Sequence, residues 1–450
     1  MLRMGSEVGT MKHNEAIMRA LGLTQVDQLF EDIPPEIRTE GLRLSQGMSE
    51  VEVLREVRSM LSCNLTSEEH PCFLGAGIYN HFIPSAVRSI VSRSEFLTSY
   101  TPYQPEVSQG MLQALFEYQS YIAELTGLDA VNSSNYDAST ALGEAANMCH
   151  RLNERRKFLV PEAMSWEKRS VLKNYVWGSG MEIVEYSYDP YTGELDLEDL
   201  RSKVDAQTSG IYVEVPNFFG IIDSFAPLIK PEFPDVALVV GANPISLGVL
   251  KAPGDYGADI VIGEGQPLGI PMNFGGPLLG IFACRQEHVR KMPGRVIGMT
   301  RDLDGNRAFC MTLQTREQHI RRSKATSNIC TNEALMAVTA AVYLSILGKE
   351  GLESLAKLNI ARARRLMKMI AELEEFDSPA FDAYHFNEFV IRSPVRPEKL
   401  NKLLLKKGII GGLPMTKHVR QLDEHMLIST TEMHCDSDYY RLVNALKEVV

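Results

Sequence analysis

The sequence predicts an α/β protein built around a large, mostly parallel β-sheet. Between residues 157 and 283, short runs rich in valine and isoleucine alternate with stretches of helical spacing. Strands buried on both faces form such continuous apolar runs, and helices between them make the connections that parallel strands require. After Thr331 the pattern changes to long helices followed by isolated strands. We therefore predict a large α/β domain over residues 66–330, a smaller α+β domain over 331–450 and a helical arm over 1–65.

The amino-terminal arm is predicted from two helical stretches that prolines separate. Apolar residues recur at helical spacing from Asn14 to Leu21. Ser49 opens a capping-box sequence, which predicts a helix that extends to about Leu61. Pro34-Pro35 lies between the two pieces. We interpret this region as an arm laid on a larger body.

The elements of the large domain follow from helix caps and apolar runs. Ser108 begins a helix that Gly127 ends, and Asp137 precedes a second helix over 139–151. The predicted strands are 157–161, 181–186, 210–215, 236–242, 259–263 and 278–283, with helices 165–175 and 197–204 between them. In a sheet of this kind, binding sites are expected at the carboxyl ends of the strands.

The smaller domain is predicted from helices that alternate with two strands. The helices are 332–347, 352–373, 399–407 and 437–449, and the strands are 387–392 and 426–430. Ser437 is the predicted cap of the last helix. Because two strands stand among four helices, the class of this domain is α+β.

Composition and charge exclude several functional classes. The formal net charge is −11, which argues against binding to nucleic acid and against a polybasic membrane anchor. No uncharged apolar run reaches the ~18 residues of a membrane span, and the amino terminus has no secretory-signal pattern. The seven cysteines are scattered and form no C-x-x-C motif. They indicate reduced thiols in a cytoplasmic protein, and no metal site is predicted.

Residues 95–110 form the first stretch with candidate binding side chains. Two prolines stiffen this loop directly before a helix, and rigid loops of this kind hold polar groups where a ligand or partner can use them. The candidates are Tyr100, Tyr103, Gln104 and Glu106. A packed interdomain loop is the alternative explanation.

Two further stretches have unusual composition. Residues 236–277 run from strand to loop to strand and end in the turn Gly275-Gly276-Pro277, where glycines allow close backbone approach or simply tight turns. Residues 313–332 carry a cationic side that could meet a phosphate, a carboxylate or an acidic partner. A solvated face is the other explanation of that cluster.

Together these stretches resemble the P-protein family of the glycine cleavage system, and specifically the first subunit of its two-subunit form. The strings TPYQPEVSQG, LTGLDAVNSS, EVPNFFG, KAPGDYGADIVIGEGQPLGIPMNFGGP and LQTREQHIRRSKATSNICTNEAL stand in family order. The resemblance extends from about Ile33 to the carboxyl terminus. It implies the fold-type I fold of pyridoxal phosphate enzymes, which agrees with the class predicted from the residue pattern.

The same resemblance indicates that the catalytic groups are missing from this chain. In the cofactor-carrying half of the family, an aspartate before Gly-Ala-Asn pairs with the pyridine nitrogen, and a His-Lys pair supplies the lysine of the Schiff base. Here Val240 precedes Gly241-Ala-Asn243, and the His-Lys position reads Gln266-Pro267. A valine cannot stabilise a pyridinium and a proline has no amine. We therefore expect no catalytic residue and no covalently bound cofactor on this chain.

The resemblance implies that the chain works with a partner subunit that carries the pyridoxal phosphate, as a heterodimer or as α2β2. Tyr100, Tyr103, Gln104, Glu106, Gly275 and Gly276 are then candidates for contact with the partner's active site. The implied enzyme is glycine dehydrogenase (aminomethyl-transferring), which decarboxylates glycine and transfers the aminomethyl group to the lipoyl arm of H-protein. The T- and L-proteins of the same system are further implied partners.

Two other interpretations remain at this point. One is an autonomous pyridoxal phosphate decarboxylase or aminotransferase that uses Lys251 or Lys324. The other is a purely structural or regulatory subunit. Identification of the lysine that holds the cofactor would test the first interpretation. Measurement of the chain's contribution to catalysis would test the second.

Overall fold

A computed structural model describes residues 11–39 and 43–448 of the chain. The chain divides into two compact units, with the boundary between Glu69 and His70. The three domain ranges expected from the sequence stay a prediction.

The first unit contains helices α1 (Met11–Ala20) and α2 (Glu50–Leu61). The predicted capping box is present at α2, because the Ser49 hydroxyl accepts from the Glu52 amide and the Glu52 carboxylate accepts from the Ser49 amide at 2.8 Å. None of the side chains described between residues 15 and 69 is buried. Its exposed apolar side chains include Val51, Leu54, Val57 and Leu61 of α2.

The second unit is organised around a seven-stranded sheet. Its strands are β1 (Ala130–Val131), β2 (Lys157–Pro161), β3 (Glu182–Tyr186), β4 (Thr208–Val215), β5 (Ala237–Ala242), β6 (Ile260–Glu264) and β7 (Gly280–Cys284). The order is β1-β7-β6-β5-β4-β2-β3, with parallel pairing from β3 through to β6 and antiparallel pairing of β7 with both β6 and β1. The prediction of a mostly parallel sheet is confirmed.

Helices cover both faces of this sheet. The helices of this unit that precede residue 322 are α3 (Ser85–Val91), α4 (Ser94–Leu97), α5 (Gln109–Thr126), α6 (Ala138–Asn153), α7 (Trp166–Trp177), α8 (Leu197–Lys203), α9 (Ala226–Glu232) and the short α10 (Gln318–Arg321). Because side chains alternate along a strand, neighbours in β5 enter different cores. Val239 packs with residues of α6 and α7, whereas Val240 packs with residues of α5. The sheet is therefore buried on both faces, as its apolar runs predict.

A second, three-stranded antiparallel sheet lies near the carboxyl terminus. Its strands are β10 (Glu388–Arg392), β11 (Leu413–Pro414) and β12 (His425–Ser429), in the order β10-β12-β11. The remaining hairpin, β8 (Val296–Arg301) with β9 (Arg307–Thr312), was not predicted from the sequence. The helices of this part of the chain are α11 (Ala334–Ala371), α12 (Pro397–Lys406) and α13 (Asp436–Lys447).

Helix α11 connects the two sheets. Its first part buries Ala337 and Tyr343 in the core of the large sheet, and its second part buries Leu366 and Ile370 in the core of the small sheet. The backbone is non-helical at Gly348 (φ 60°, ψ −174°), which agrees with the two helices predicted here. α11 is long and apolar enough to cross a membrane by length and hydropathy. Its contacts in both cores explain that composition in a folded protein.

The cap predicted for α13 is wrong. Cys435 is the capping residue, and Ser437 lies inside the helix. The Asp438 carboxylate accepts from the Cys435 amide at 2.9 Å, so a carboxylate rather than a hydroxyl satisfies the free donor at this helix start.

Candidate functional site

A cavity of about 390 Å³ lies at the carboxyl ends of β4, β5 and β6. The positions after these strands contribute Pro216, Asn243 and Pro267. The loop of residues 75–79 and the start of β10 in the small sheet line the same cavity. A site at this edge of a parallel sheet is where the topology predicts one.

The amino-terminal end of α6 faces this cavity and is occupied by carboxylates of the chain itself. Asp137 caps the helix, accepting from the Thr140 amide at 2.9 Å. Glu264, at the end of β6, accepts from the Ala138 amide at 3.1 Å, and its other oxygen accepts from the amides of Gln266 and Leu279 at 3.0 and 3.1 Å. Helix amino termini attract anions, and carboxyl groups of the chain already accept from two of the amides at this one.

The Glu264 side chain is half-buried, and the loss of hydration raises the pKa of its carboxyl to about 7. The three backbone amides that donate to it act in the opposite direction, because they stabilise the charged form. The charge of Asp137 adds to the rise. A second anion in this position would therefore meet two carboxyl groups and no unused helix amide at Ala138.

A lysine and a buried glutamate form another part of the wall. Lys168, in the first turn of α7, donates to Glu214 Oε1 at 2.7 Å, and the Tyr212 hydroxyl donates to the same atom at 2.7 Å. Gly241 leaves room for this arrangement, since a Cβ there would lie 2.4 Å from the Tyr212 hydroxyl oxygen. Lys168 was missed in the sequence, where nothing marks it as near β4.

Glu388, at the start of β10, brings the small sheet into the site. Its carboxylate accepts from the Ala76 amide at 2.6 Å and from the Tyr79 hydroxyl at 2.7 Å. Gln266 holds the same loop, because its amide accepts from the Tyr79 amide and donates to the carbonyls of Tyr79 and Ile270. The residue at the expected histidine position is thus a buried structural clamp.

Replacing Glu388 with glutamine should change how stability depends on pH. Burial raises the pKa of Glu388 from 4.5 to about 7. The folded protein therefore holds this proton more tightly than the unfolded chain, and the stability that the group contributes below pH 4.5 is lost as the pH rises towards 7. Glutamine mimics the protonated acid. We expect Glu388→Gln to match the parent near pH 5 and to be more stable near pH 8 by roughly 1–3 kcal/mol.

Urea unfolding at the two pH values measures this difference. Glu52→Gln is a suitable control of opposite sign, because hydrogen bonds from Ser49 lower the pKa of the exposed Glu52. That variant should lose stability at the higher pH rather than gain it. Equal stability of Glu388→Gln and the parent at pH 8 would contradict a buried charge at this position.

The two positions expected to have lost catalytic groups lie in different surroundings. Pro267 lines the cavity. Val240 is fully buried on the α5 side of the sheet and does not line the cavity. Lys251 and Lys324 are exposed and lie outside the lining, so within the described chain the lining lysine is Lys168.

The candidate loop residues lie away from the cavity. Tyr100 is 75% exposed, and Gln104 and Glu106 are exposed as well. Tyr103 accepts from Arg295 Nη2 at 3.0 Å, lies under the same guanidinium and contacts the His319 ring edge to face. The structure thus brings the first stretch against the third.

The cationic side chains of residues 313–332 fall into two groups, one that is part of the fold and one that is exposed. Arg316 donates to the carbonyls of Met292 and Gly294, so its guanidinium is part of the fold. Arg321, Arg322 and Lys324 are exposed. The solvated-face explanation therefore fits only some of these side chains.

The glycine turn carries an aromatic side chain that sequence reasoning missed. Gly275 is exposed and Gly276 half-buried, and neither lines the cavity. Phe274 directly before them is 93% exposed and has a left-handed backbone (φ 54°). Such a conformation is costly for a bulky residue, and exposed aromatic rings are typical of contact surfaces. In the sequence, the aromatic residue between Asn273 and the two glycines could have indicated an exposed ring at this turn.

Comparison with known proteins gives consistent results. Residues 7–446 match the family described as "Glycine cleavage system P-protein". The "Probable glycine dehydrogenase (decarboxylating) subunit 1" of Thermococcus onnurineus (strain NA1) is 48% identical over 441 residues, which cover 97% of this chain and 98% of the relative. The protein of the same description from Desulfitobacterium hafniense (strain DSM 10664 / DCB-2) is 45% identical over 442 residues, covering 98% of each.

Solved structures show the same relationship. A glycine decarboxylase (P-protein) of the glycine cleavage system, in inhibitor-bound form, superposes with a TM-score of 0.89 at 38% identity, covering 99% of this chain and 100% of that one. The glutamate decarboxylase of Lactobacillus brevis CGMCC 1306 has a TM-score of 0.68 at 14% identity, covering 93% and 96%, and shares the fold alone. The fold-type I prediction is confirmed.

Proposed function

The chain belongs to the glycine cleavage system P-protein family, and from that membership we propose that it is the subunit of the decarboxylating glycine dehydrogenase that carries no pyridoxal phosphate. Its role as a P-protein subunit follows from nearly full-length relatives named as subunit 1. The name implies a second subunit. In the proposal, that partner holds the cofactor and H-protein supplies the lipoyl acceptor.

One observation carries the proposal: the cavity at the end of the large sheet does not fit the cofactor. Pyridoxal phosphate needs a lysine, and Pro267 stands at the position that the family pattern gives to it. Its phosphate needs an anion site, and Glu264 with Asp137 already occupies the amino terminus of α6. The proline at the lysine position and the carboxyl groups that accept from two amides at the start of α6 thus both oppose binding of the same molecule.

The exposed apolar surface of the chain supports assembly with a partner. Large exposed patches on a soluble protein mark interaction surfaces, and permanent complexes commonly bury about 2,000–5,000 Å². The first unit exposes Val51, Leu54 and Val57, and the glycine turn exposes Phe274. We propose a heterodimer, or an α2β2 assembly, in the cytoplasm, with H-, T- and L-proteins as functional partners. The acidic net charge of −11 argues against contact with nucleic acid.

Within that assembly we propose that two segments reach the partner's active site. The first is the exposed loop with Tyr100, Tyr103, Gln104 and Glu106. The second is the glycine turn with Phe274 directly before it, where Phe274 offers an aromatic ring and Gly275 and Gly276 offer backbone amides. Tyr100, Gln104, Glu106, Phe274 and Gly275 are exposed in the single chain, which leaves them available for such contacts.

Borohydride reduction of the assembled complex, followed by peptide mapping, tests the location of the cofactor. Reduction fixes the cofactor to its lysine, so we expect the labelled peptide to come from the partner alone. Lys168 is the critical position, because among the described lysines it is the one that lines the cavity. A label on Lys168, Lys251 or Lys324 would overturn the proposal and favour the autonomous enzyme.

Phe274→Ala tests whether the glycine turn contributes to the enzyme. Removing a buried aromatic anchor at an interface commonly costs 2 kcal/mol or more, so we expect glycine-dependent exchange of carbon dioxide by the complex to fall by roughly thirtyfold. Trp177→Ala is the control, since Trp177 is 84% exposed at the end of α7 and lies outside the proposed segments. Equal activity of both variants and the parent would argue against a role of this turn.

A further inference from the structure

The charge of this chain is distributed unevenly along the sequence. Residues 285–324 carry ten lysines and arginines and four aspartates and glutamates, although acidic residues outnumber basic ones by 57 to 46 in the whole chain. Arg321, Arg322 and Lys324 are exposed, and none of them forms an ion pair with a described residue. Glu317, the one acidic residue in the second half of this stretch, lies within 3.9 Å of two other basic side chains. The three exposed cations therefore have no counter-charge among the described residues.

The backbone that carries these cations is fixed on both sides. On one side, the Arg316 guanidinium donates to two backbone carbonyls. On the other side, the Thr326 amide donates to the Arg316 carbonyl at 3.1 Å, and the Ser327 hydroxyl donates to the buried Glu144 at 2.6 Å. Between these anchors, Arg322 has φ 54° and ψ −123°, which is unfavourable for a residue with a Cβ atom. An ordinary solvated surface does not require such a conformation.

An open depression of about 910 Å³ lies beside Arg322 and is rich in hydrogen-bond donors. Tyr103 lines it, and because its hydroxyl oxygen accepts from Arg295 Nη2, its hydroxyl hydrogen is available to another acceptor. Ser323 and Asn328 line it as well, and their side chains form no hydrogen bond with a described residue. Carboxylates complement such a surface, because they are charged and accept hydrogen bonds only.

We propose that residues 319–324 and Tyr103 form a cationic docking surface for acidic side chains of the partner subunit. The inference rests on the proposed assembly with a cofactor-carrying partner, and it adds the place and the charge of one contact. Charge complementarity selects an acidic occupant. Tyr103 also belongs to the loop that we propose to reach the partner, and it contacts His319 edge to face, so the two surfaces are continuous. Tyrosine and arginine are enriched at protein interfaces.

Reversal of the three charges tests this surface in the assembled complex. In the triple variant Arg321→Glu, Arg322→Glu and Lys324→Glu, carboxylates meet the partner's carboxylates. We therefore expect the dissociation constant between the subunits to rise at least about a hundredfold. Sedimentation velocity over a dilution series of the purified complex measures this constant. An unchanged constant overturns the proposal.

Salt dependence gives a second readout of the same contact. The parent complex should weaken when sodium chloride is raised from about 50 to about 500 mM, because salt screens charge pairs. The triple variant lacks the attractive pairs and should not weaken in the same way. A parent complex whose affinity does not respond to salt contradicts the proposal.

Lys399→Glu, Lys402→Glu and Lys406→Glu in α12 together make the matched control. These lysines are also exposed and form no ion pair with a described residue, so the control variant has the same change of net charge. We expect its dissociation constant to stay within about threefold of the parent value. An equal loss in both triple variants would reflect net charge alone and would overturn the assignment of this surface. Circular dichroism confirms that both variants fold.

Arg322→Gly separates a docking role from a solvated surface without a reversal of charge. Glycine adopts positive φ at little cost, so the midpoint of urea denaturation of the isolated chain should not fall. Loss of the guanidinium should nevertheless weaken association with the partner about tenfold. Unchanged stability together with unchanged association would overturn the role of Arg322.

Other occupants of this surface give different results. Binding of a short DNA duplex by the full chain, lost in the triple variant, would assign the surface to nucleic acid. Self-association of the isolated chain, abolished by the same variant, would assign it to a second copy. Either result overturns the proposal. A cofactor label on this chain after borohydride mapping defeats the proposed function, whereas a label on the partner with association insensitive to charge reversal defeats this inference alone.

Discussion

Purified without its partner, the full chain is expected to catalyse no glycine-dependent exchange of carbon dioxide above background. Pro267 provides no amine, and Glu264 already accepts from the Ala138 amide at the start of α6, where a helix would otherwise favour a phosphate. The whole enzymatic acceleration, commonly a million-fold or more, should therefore be absent. Isotope exchange between bicarbonate and the glycine carboxyl group measures it, and visible absorbance reports bound cofactor. The complex co-purified with its partner should show both signals. A yellow and active single chain would refute the expectation.

Pro267→Lys sharpens this experiment. The substitution returns an amine to the lining of the cavity but leaves the carboxylates of Glu264 and Asp137 at the start of α6. We expect this variant to remain colourless and inactive by itself. Cofactor binding by Pro267→Lys would show that the missing amine, rather than the occupied anion site, is the decisive difference.

The largest expected loss of stability comes from Gly220→Ala. Gly220 has φ +80°, and a Cβ there would lie 2.1 Å from the carbonyl oxygen of Glu388. That neighbour is backbone, and it is held near because the Phe386 amide donates to the Gly220 carbonyl at 2.9 Å. Strained backbone and a steric clash therefore add. We expect the free energy of unfolding to fall by about 3–5 kcal/mol.

Gly305→Ala is the matched control for this variant. Gly305 has nearly the same backbone angle, φ +82°, but a Cβ there meets nothing within 4 Å. It should lose about 1–2 kcal/mol, the cost of the left-handed conformation alone. Urea denaturation compares the free energies of unfolding of the two variants when both show the same dependence of that free energy on urea concentration. Equal losses would mean that Glu388 and its strand move aside without cost.

Residue patterns predicted the large sheet well because burial on both faces leaves a continuous apolar run. The run at 236–242 became β5 (Ala237–Ala242), and Gly348 marked the break inside α11. The hairpin of β8 and β9 was missed because it is partly exposed, as at Met299, and polar residues interrupt its apolar ones. Ser437 failed as a cap because Asp438 reaches back to Cys435.

The site was predicted only in part, because its walls come from distant segments. The edge of the sheet and Pro267 followed from topology and from the family pattern. Lys168 and Glu388 could not be foreseen, since their contacts with Glu214 and Tyr79 join positions 46 and 309 residues apart. Hydrogen-bond partners at such separations depend on the folded backbone rather than on local spacing.

The carboxylate at the start of α6 also governs what further sequence change can achieve. Removing Glu264 alone leaves three backbone amides without an acceptor, a cost of about 1–3 kcal/mol for each group that stays buried. Adding a lysine alone places an amine where no cofactor is held. Neither the loss of Glu264 nor the gain of a lysine is advantageous without the other. A chain that acquires a cofactor site by single substitutions therefore passes through a less favourable intermediate. If the partner holds the cofactor, as proposed, the division of labour between the two subunits is thereby protected against gradual reversal.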